Sequence, residues 1–131
     1  MKTLVYLATP YFHSDPSVME QRYIDGAMVA AKLIQQGFDV FNPIANNHEA
    51  ATRSGSPLGW DYWSEFDRRM IALCDVLVVA KLPGWARSVG IAAERRFADD
   101  LGKPVFMVDG AGEWEDPPPP VTRPYCPISE K

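Results

Sequence analysis

The chain has 131 residues, 47% of them hydrophobic, with 13 basic and 17 acidic side chains for a net charge of −4. That size fits one domain with its own core and excludes a wholly disordered chain. An acidic balance without a basic block excludes recognition of long nucleic acids through their phosphates, while leaving room for a mononucleotide in a local pocket.

Leu4 to Ala8 is a short apolar run that predicts a buried strand. Thr9 to Ser14 follows as a loop. Asp15-Pro16 pairs an N-cap with a proline at the first helical position, and the helix it opens is expected to reach about Gln36. Ile24, Ala27, Met28, Ala31 and Ile34 form the expected apolar stripe of that helix, with Gly37 as its stop. Phe38 to Phe41 predicts a second strand, halted by Asn42-Pro43, and a polar loop is expected from about Ile44 to Leu58. Gly59 to Cys74 predicts a second helix with Trp63, Phe66, Met70 and Leu73 on one side. Asp75 to Ala80 is apolar on both faces, as central parallel strands are. Pro83-Gly84-Trp85 makes a loop, and Ser88 caps a third helix ending near Leu101-Gly102. Pro104 to Val108 is the last strand. Beyond Gly110 come Pro117 to Pro120, then Pro124 and Pro127, which predict an extended tether.

Strands alternating with helices argue for a parallel sheet covered on both faces. The expected division is one α/β domain over residues 1–109 and a Pro-rich tail over 110–131. Ligands of such sheets bind beyond the carboxyl ends of the strands. The loops that matter most are therefore Thr9 to Ser14, Asn42 to His48 and Lys81 to Ser88. Cys74 and Cys126 suit neither a disulfide framework nor a zinc site. No apolar run reaches the ~20 residues of a membrane span. Met1 to Tyr6 lacks a signal-peptide core, so a soluble, cytoplasmic protein is expected.

The third helix carries the most informative feature. Advancing ~100° per residue, Phe97, Gly90, Leu101, Ala98 and Ile91 form one apolar arc, and Glu94 falls in its middle. Arg95, Arg96, Asp99 and Asp100 all fall outside it. A carboxylate in such a place costs several kcal/mol unless paired or hydrogen-bonded, which suggests a placed reactive group. Asp67 lies at the margin of the second helix's apolar side, where a solvated boundary residue is the plainer reading. Asp75 opens a strand and is expected to fix a turn. Ser88 is a cap, and a helix start beside Gly90 also suits a phosphate. His13 and His48 are loop hydrogen-bonders before they are general bases, and without partners at ligand spacing no metal or cofactor site is expected. Trp60, Trp63 and Trp85 could stack on a base, although aromatics at helical spacing usually pack into a core. Two carboxylates at a cleft suggest glycoside-type chemistry.

Tyr6-Leu7-Ala8-Thr9-Pro10-Tyr11, Asp67, Asp75 to Val79, Gly84-Trp85-Ala86-Arg87-Ser88-Val89-Gly90, Glu94 and Gly102 to Val105 form an ordered set. With Asn42-Pro43-Ile44 it resembles the nucleoside 2-deoxyribosyltransferase superfamily, and most closely a branch of small bacterial and phage proteins. The resemblance covers about residues 3 to 108. It implies an α/β three-layer sandwich of the Rossmann-like or flavodoxin-like kind. It also implies that Glu94 is the nucleophile toward C1′ of a deoxyribosyl unit, that Asp67 holds the sugar or assists departure of the base, and that Tyr6 or Tyr11 lies near the reacting centre. Ser88 stands where the transferases carry an aspartate and the 5′-nucleotide hydrolases a serine, which favours a 5′-monophosphate. The first loop departs from those hydrolases, because Thr9 to Ser14 contains no arginine.

The expectation from residues and resemblance together is an N-glycosidase acting on a (deoxy)nucleoside 5′-monophosphate or nucleoside, and at least a homodimer. Glu94, Asp67, Tyr6 and Tyr11 are the candidate catalytic residues. Thr9, Pro10, Asn42, His48, Trp85, Ser88 and Gly90 are the candidate substrate contacts. A base transferase, a nucleotide sensor without turnover, and a flavodoxin-like electron carrier are the alternatives.

Overall fold

A computed structural model describes residues 1–53 and 60–122. Four strands, β1 (Leu4–Ala8), β2 (Asp39–Phe41), β3 (Val76–Lys81) and β4 (Val105–Asp109), form one parallel sheet in the order β2-β1-β3-β4. Helix α1 (Pro16–Gln35) joins β1 to β2, α2 (Pro43–Arg53) and α3 (Trp60–Leu73) lie between β2 and β3, and α4 (Val89–Asp100) joins β3 to β4. A 3-10 turn, Trp85–Arg87, leads into α4. The expected α/β sandwich with a parallel sheet is borne out. No helix among the described residues is long and apolar enough to cross a membrane.

Alternation along β1 sorts the core into two layers. Val5 and Leu7 face α1, packing with Val29, Leu33 and Phe38. Tyr6 and Ala8 face α3 and α4, packing with Ile71, Cys74, Ile91 and Ala98. The chain therefore leaves β1 toward one face and β3 toward the other. The gap between the carboxyl ends of these two neighbouring strands is where such a sheet reverses its winding, the usual ligand position.

The helices differ from expectation in instructive ways. The face of α1 that meets the sheet is Gly26, Val29 and Leu33. The larger stripe points outward instead, with Ile24, Met28 and Ile34 44%, 69% and 55% exposed. Gly26 dictates this choice: a Cβ there would stand 3.2 Å from Asn42 Nδ2 and 3.3 Å from Thr9 Oγ1, so the helix approaches the sheet on its smallest residue. Asn42-Pro43 starts a helix rather than ending a strand into a loop. Asn42 Oδ1 accepts from the Ile44 and Ala45 amides at 3.0 and 3.4 Å, and proline suits the first helical position. The expected polar loop is therefore helical over Pro43–Arg53, and its end at 54–59 lies outside the described residues. On α3, Leu73 is exposed, against expectation, while Asp67, expected at the margin of the apolar side, is buried.

The segment after β4 is no free tether through residue 122. Trp114 bridges to Val108, packs on Phe38 and Phe106, and donates through its indole N–H to Gln36 Oε1. Farther on, Thr3 N donates to Val121 O at 2.8 Å and Thr3 Oγ1 to Pro120 O at 2.6 Å. Pro124, Cys126 and Pro127 lie outside the described residues.

Candidate active site

Glu94 and Asp67 come together on the α3–α4 side of β1. Ser88 Oγ accepts from Ile91 N at 3.1 Å and starts α4 beyond the carboxyl end of β3. Glu94 then falls in the second turn, 5% exposed and facing the sheet. Asp67 reaches the same place from α3 at 6% exposure. Tyr6, fully buried in β1, donates its hydroxyl to Glu94 Oε2 at 2.5 Å. Asp67 Oδ1 has no hydrogen-bond partner among the described residues. A buried acceptor left this way costs ~1–3 kcal/mol, which a purely structural cluster has little reason to retain.

The electrostatics follow from that burial. Loss of water pushes Glu94 up to about 8, and the nearby Asp67 carboxylate adds to the rise, against the Tyr6 hydrogen bond. Burial likewise pushes Asp67 up to about 7, again opposed by Tyr6. The Tyr6 phenol is driven well above its ordinary range by burial first and by Glu94 next, so it is a fixed donor. Burial thus biases both carboxyls toward the neutral form, and beside one phenol they titrate as a pair.

A second group of expected residues lies at the carboxyl ends of β1 and β2. Thr9, Pro10 and Asn42 are buried. Thr9 Oγ1 and Asn42 Nδ2 lack partners among the described residues and flank the space left by Gly26. Tyr11 and His48 join each other here, Oη to Nδ1 at 2.6 Å. Tyr11 makes no hydrogen bond to Glu94 or Asp67 among the described residues. His48 rides on α2, not on a loop, and its Nε2 meets Glu20 Oε1 at 3.1 Å.

The third group is the β3–α4 connection. Trp85 lies under Lys81, whose Nζ is 5.1 Å from the ring centroid. Gly90 stands in the first turn of α4, half-buried. An open groove of about 490 Å³ runs along residues Lys81 to Arg87. Across from it, Arg22 of α1 donates to Phe12 O at 2.9 Å and presses against Gly84, linking the loops after β1 and β3. Asp75 ties two strands together, its Oδ2 accepting from Leu4 N at 2.8 Å. His13 caps its own loop through Asp15 N. Among the described residues, no three His, Cys, Asp or Glu side chains stand together as metal ligands would.

Sequence reasoning missed Glu20, Arg22 and Tyr23. All three lie on α1, whose facing was misjudged, and Glu20 and Tyr23 gain meaning only once His48 is placed on a helix beside them.

These features fit a known class of domain. Residues 3–110 match the family described as "Domain of unknown function (DUF1937)", and the chain belongs to that family. Among solved structures, the chain is similar to a 2-deoxyribosyltransferase from the psychrotolerant bacterium Bacillus psychrosaccharolyticus. The identity is 24%, the match covers 87% of this chain and 77% of that one, and the TM-score is 0.53. That likeness concerns the fold. No curated protein matches the chain.

Proposed function

We propose that this chain is an N-glycosidase that cleaves the base–sugar bond of a (deoxy)nucleoside or its 5′-monophosphate. The observation that carries the reading is the buried Tyr6–Glu94–Asp67 cluster on the α3–α4 side of β1. Glu94 attacks C1′ as the glycosidic bond breaks, giving a glycosyl ester and the free base. Water then attacks the same carbon and releases the sugar with retained configuration. Attack requires the Glu94 carboxylate, and the Tyr6 hydroxyl stabilises that anion. Asp67, with an unused acceptor oxygen, orients the sugar hydroxyls or the departing base. The start of α4 at Ser88 receives the 5′ end of the substrate, and Trp85 offers a stacking face. Neighbouring copies complete the site in this reading, as the superfamily resemblance implies.

Transfer to a second base is the other reading. The fold similarity to a 2-deoxyribosyltransferase favours it. The deciding experiment is base release from a panel of nucleosides and 5′-monophosphates, followed by chromatography, with Glu94→Ala in parallel. Release by wild type alone supports the glycosidase. Faster trapping by an added free base than by water makes the chain a transferase. Saturable binding without release by wild type discards both readings in favour of a sensor.

A further inference from the structure

The departing base needs a proton, and the Tyr6–Glu94–Asp67 cluster does not identify its donor. We infer that Tyr11, His48 and Glu20 form a proton relay that serves the departing base, an inference that rests on the glycosidase reading. Three elements converge to build it. Tyr11 lies three residues past the end of β1, at the sheet edge where ligands bind. His48 comes from α2, with its ring nitrogens 2.6 Å from Tyr11 Oη and 3.1 Å from Glu20 Oε1. Tyr23, one turn after Glu20 on α1, stacks on the imidazole at 4.3 Å and 15°. Tyr11 closes on the same ring edge-on at 5.7 Å and 89°. The imidazole is thus held between two aromatic rings, and the relay needs that fixed orientation.

The proton positions follow from donor and acceptor chemistry. A carboxylate only accepts, so His48 Nε2 carries a proton whenever it bonds Glu20. Nδ1 then has two states. Unprotonated, it accepts from the Tyr11 hydroxyl. Protonated, it donates to Tyr11 Oη and frees the phenolic proton to point toward a ligand. Starting from the imidazolium, the C1′–N bond breaks with its electron pair on the base as the C1′–O bond to Glu94 forms. The base nitrogen takes the Tyr11 proton, and Tyr11 takes the Nδ1 proton. In the second half-reaction water attacks C1′ and the bond to Glu94 breaks. The water's proton passes through Tyr11 to Nδ1, restoring the imidazolium. The sum is substrate plus water giving free sugar and protonated base, with no other reactant.

The test compares two leaving groups. A guanine methylated at N7 departs as a neutral base without a proton, whereas unmodified guanine requires one. The substrates are 2′-deoxyguanosine and 7-methyl-2′-deoxyguanosine, each with and without a 5′-phosphate. Tyr11→Phe, His48→Gln and Glu20→Gln are measured against wild type. The relay predicts that Tyr11→Phe and His48→Gln lower the single-turnover rate of base release on the unmodified base about 100-fold, in the range of general acid catalysis. Glu20→Gln lowers it about 10-fold. The three variants' single-turnover losses on the methylated base are at least tenfold smaller, because its departure takes no proton from the relay, and unchanged circular dichroism and melting certify their folding. Equal losses on both substrates would assign the trio to packing and overturn the relay, leaving the glycosidase standing. No release by wild type from this pair or from any other base overturns relay and glycosidase together.

Discussion

The Tyr6 hydroxyl donates to Glu94 Oε2 at 2.5 Å, joining the middle of β1 to the second turn of α4. The bond holds the carboxyl on the sheet side of its helix and favours the anion. Tyr6→Phe keeps the ring and removes only the donor. Glu94 loses the one influence that lowers it and rises further. The expected result is a 10- to 100-fold fall in kcat/KM, on the order of the 1.5–3 kcal/mol of a hydrogen bond to a charged group. The ascending limb of the pH–rate profile moves to higher pH. A profile unmoved by the substitution would separate Tyr6 from the titration.

Asp67→Asn acts in the opposite direction. It removes the like charge that adds to the rise of Glu94. The ascending limb of kcat/KM is expected to move to lower pH, while the plateau falls under the proposed role of Asp67 in orienting the sugar or base. Rates across pH 5 to 9 check both changes, and an upward shift contradicts the coupling.

Glu94→Gln should abolish turnover and stabilise the protein. The sign follows from linkage. A carboxyl raised from 4.5 to about 8 holds its proton more tightly folded than unfolded. Its contribution is fully favourable below the unfolded value and is lost as pH climbs from there to about 8. The neutral amide escapes that loss. Melting by calorimetry should show little difference at pH 4.5 and a gain of several degrees at pH 8, on the order of 2 kcal/mol. A variant less stable than wild type at pH 8 would reject the argument.

Gly84 stands at φ +95, where a side chain strains the backbone, and its missing Cβ leaves room for Arg22. Gly84→Ala is expected to cost ~1–2 kcal/mol. Adding Arg22→Ala should recover the part due to the guanidinium and leave the backbone part, which a double-mutant cycle of unfolding free energies measures. Strict additivity would mean that the two residues do not touch.

The sequence made the strands, the Asp15 and Ser88 caps and the burial of Glu94 legible, because each depends on spacing within one element. Ser88 sets the phase of α4, and that phase turns Glu94 inward. Asp67 was harder to judge, since its enclosure comes from Tyr6 and α4, which lie far away in sequence. The exposed row of Ile24, Met28 and Ile34 misled because hydrophobicity alone gave it more weight than Gly26. Close approach, not apolar area, decides which side of α1 meets the sheet. Asn42-Pro43 carries a helix-start signal that resembles a strand stop until its amide acceptor is seen to cap α2. That one ambiguity put His48 on a loop instead of a helix, and so hid its partner Glu20.

The clasp at Thr3 bears on how the molecule is made. A buried residue at the threshold of the first strand has its amide and hydroxyl answered by Val121 and Pro120, the hydroxyl contact spanning 117 positions. During synthesis the chain emerges from its amino end, so these two groups wait until residues 120 and 121 have been made. The sheet acquires its strands in the order β1, β2, β3 and β4, but its first strand is sealed last. Folding to completion is thus tied to translation through residue 121, and contacts of such long range slow that final step.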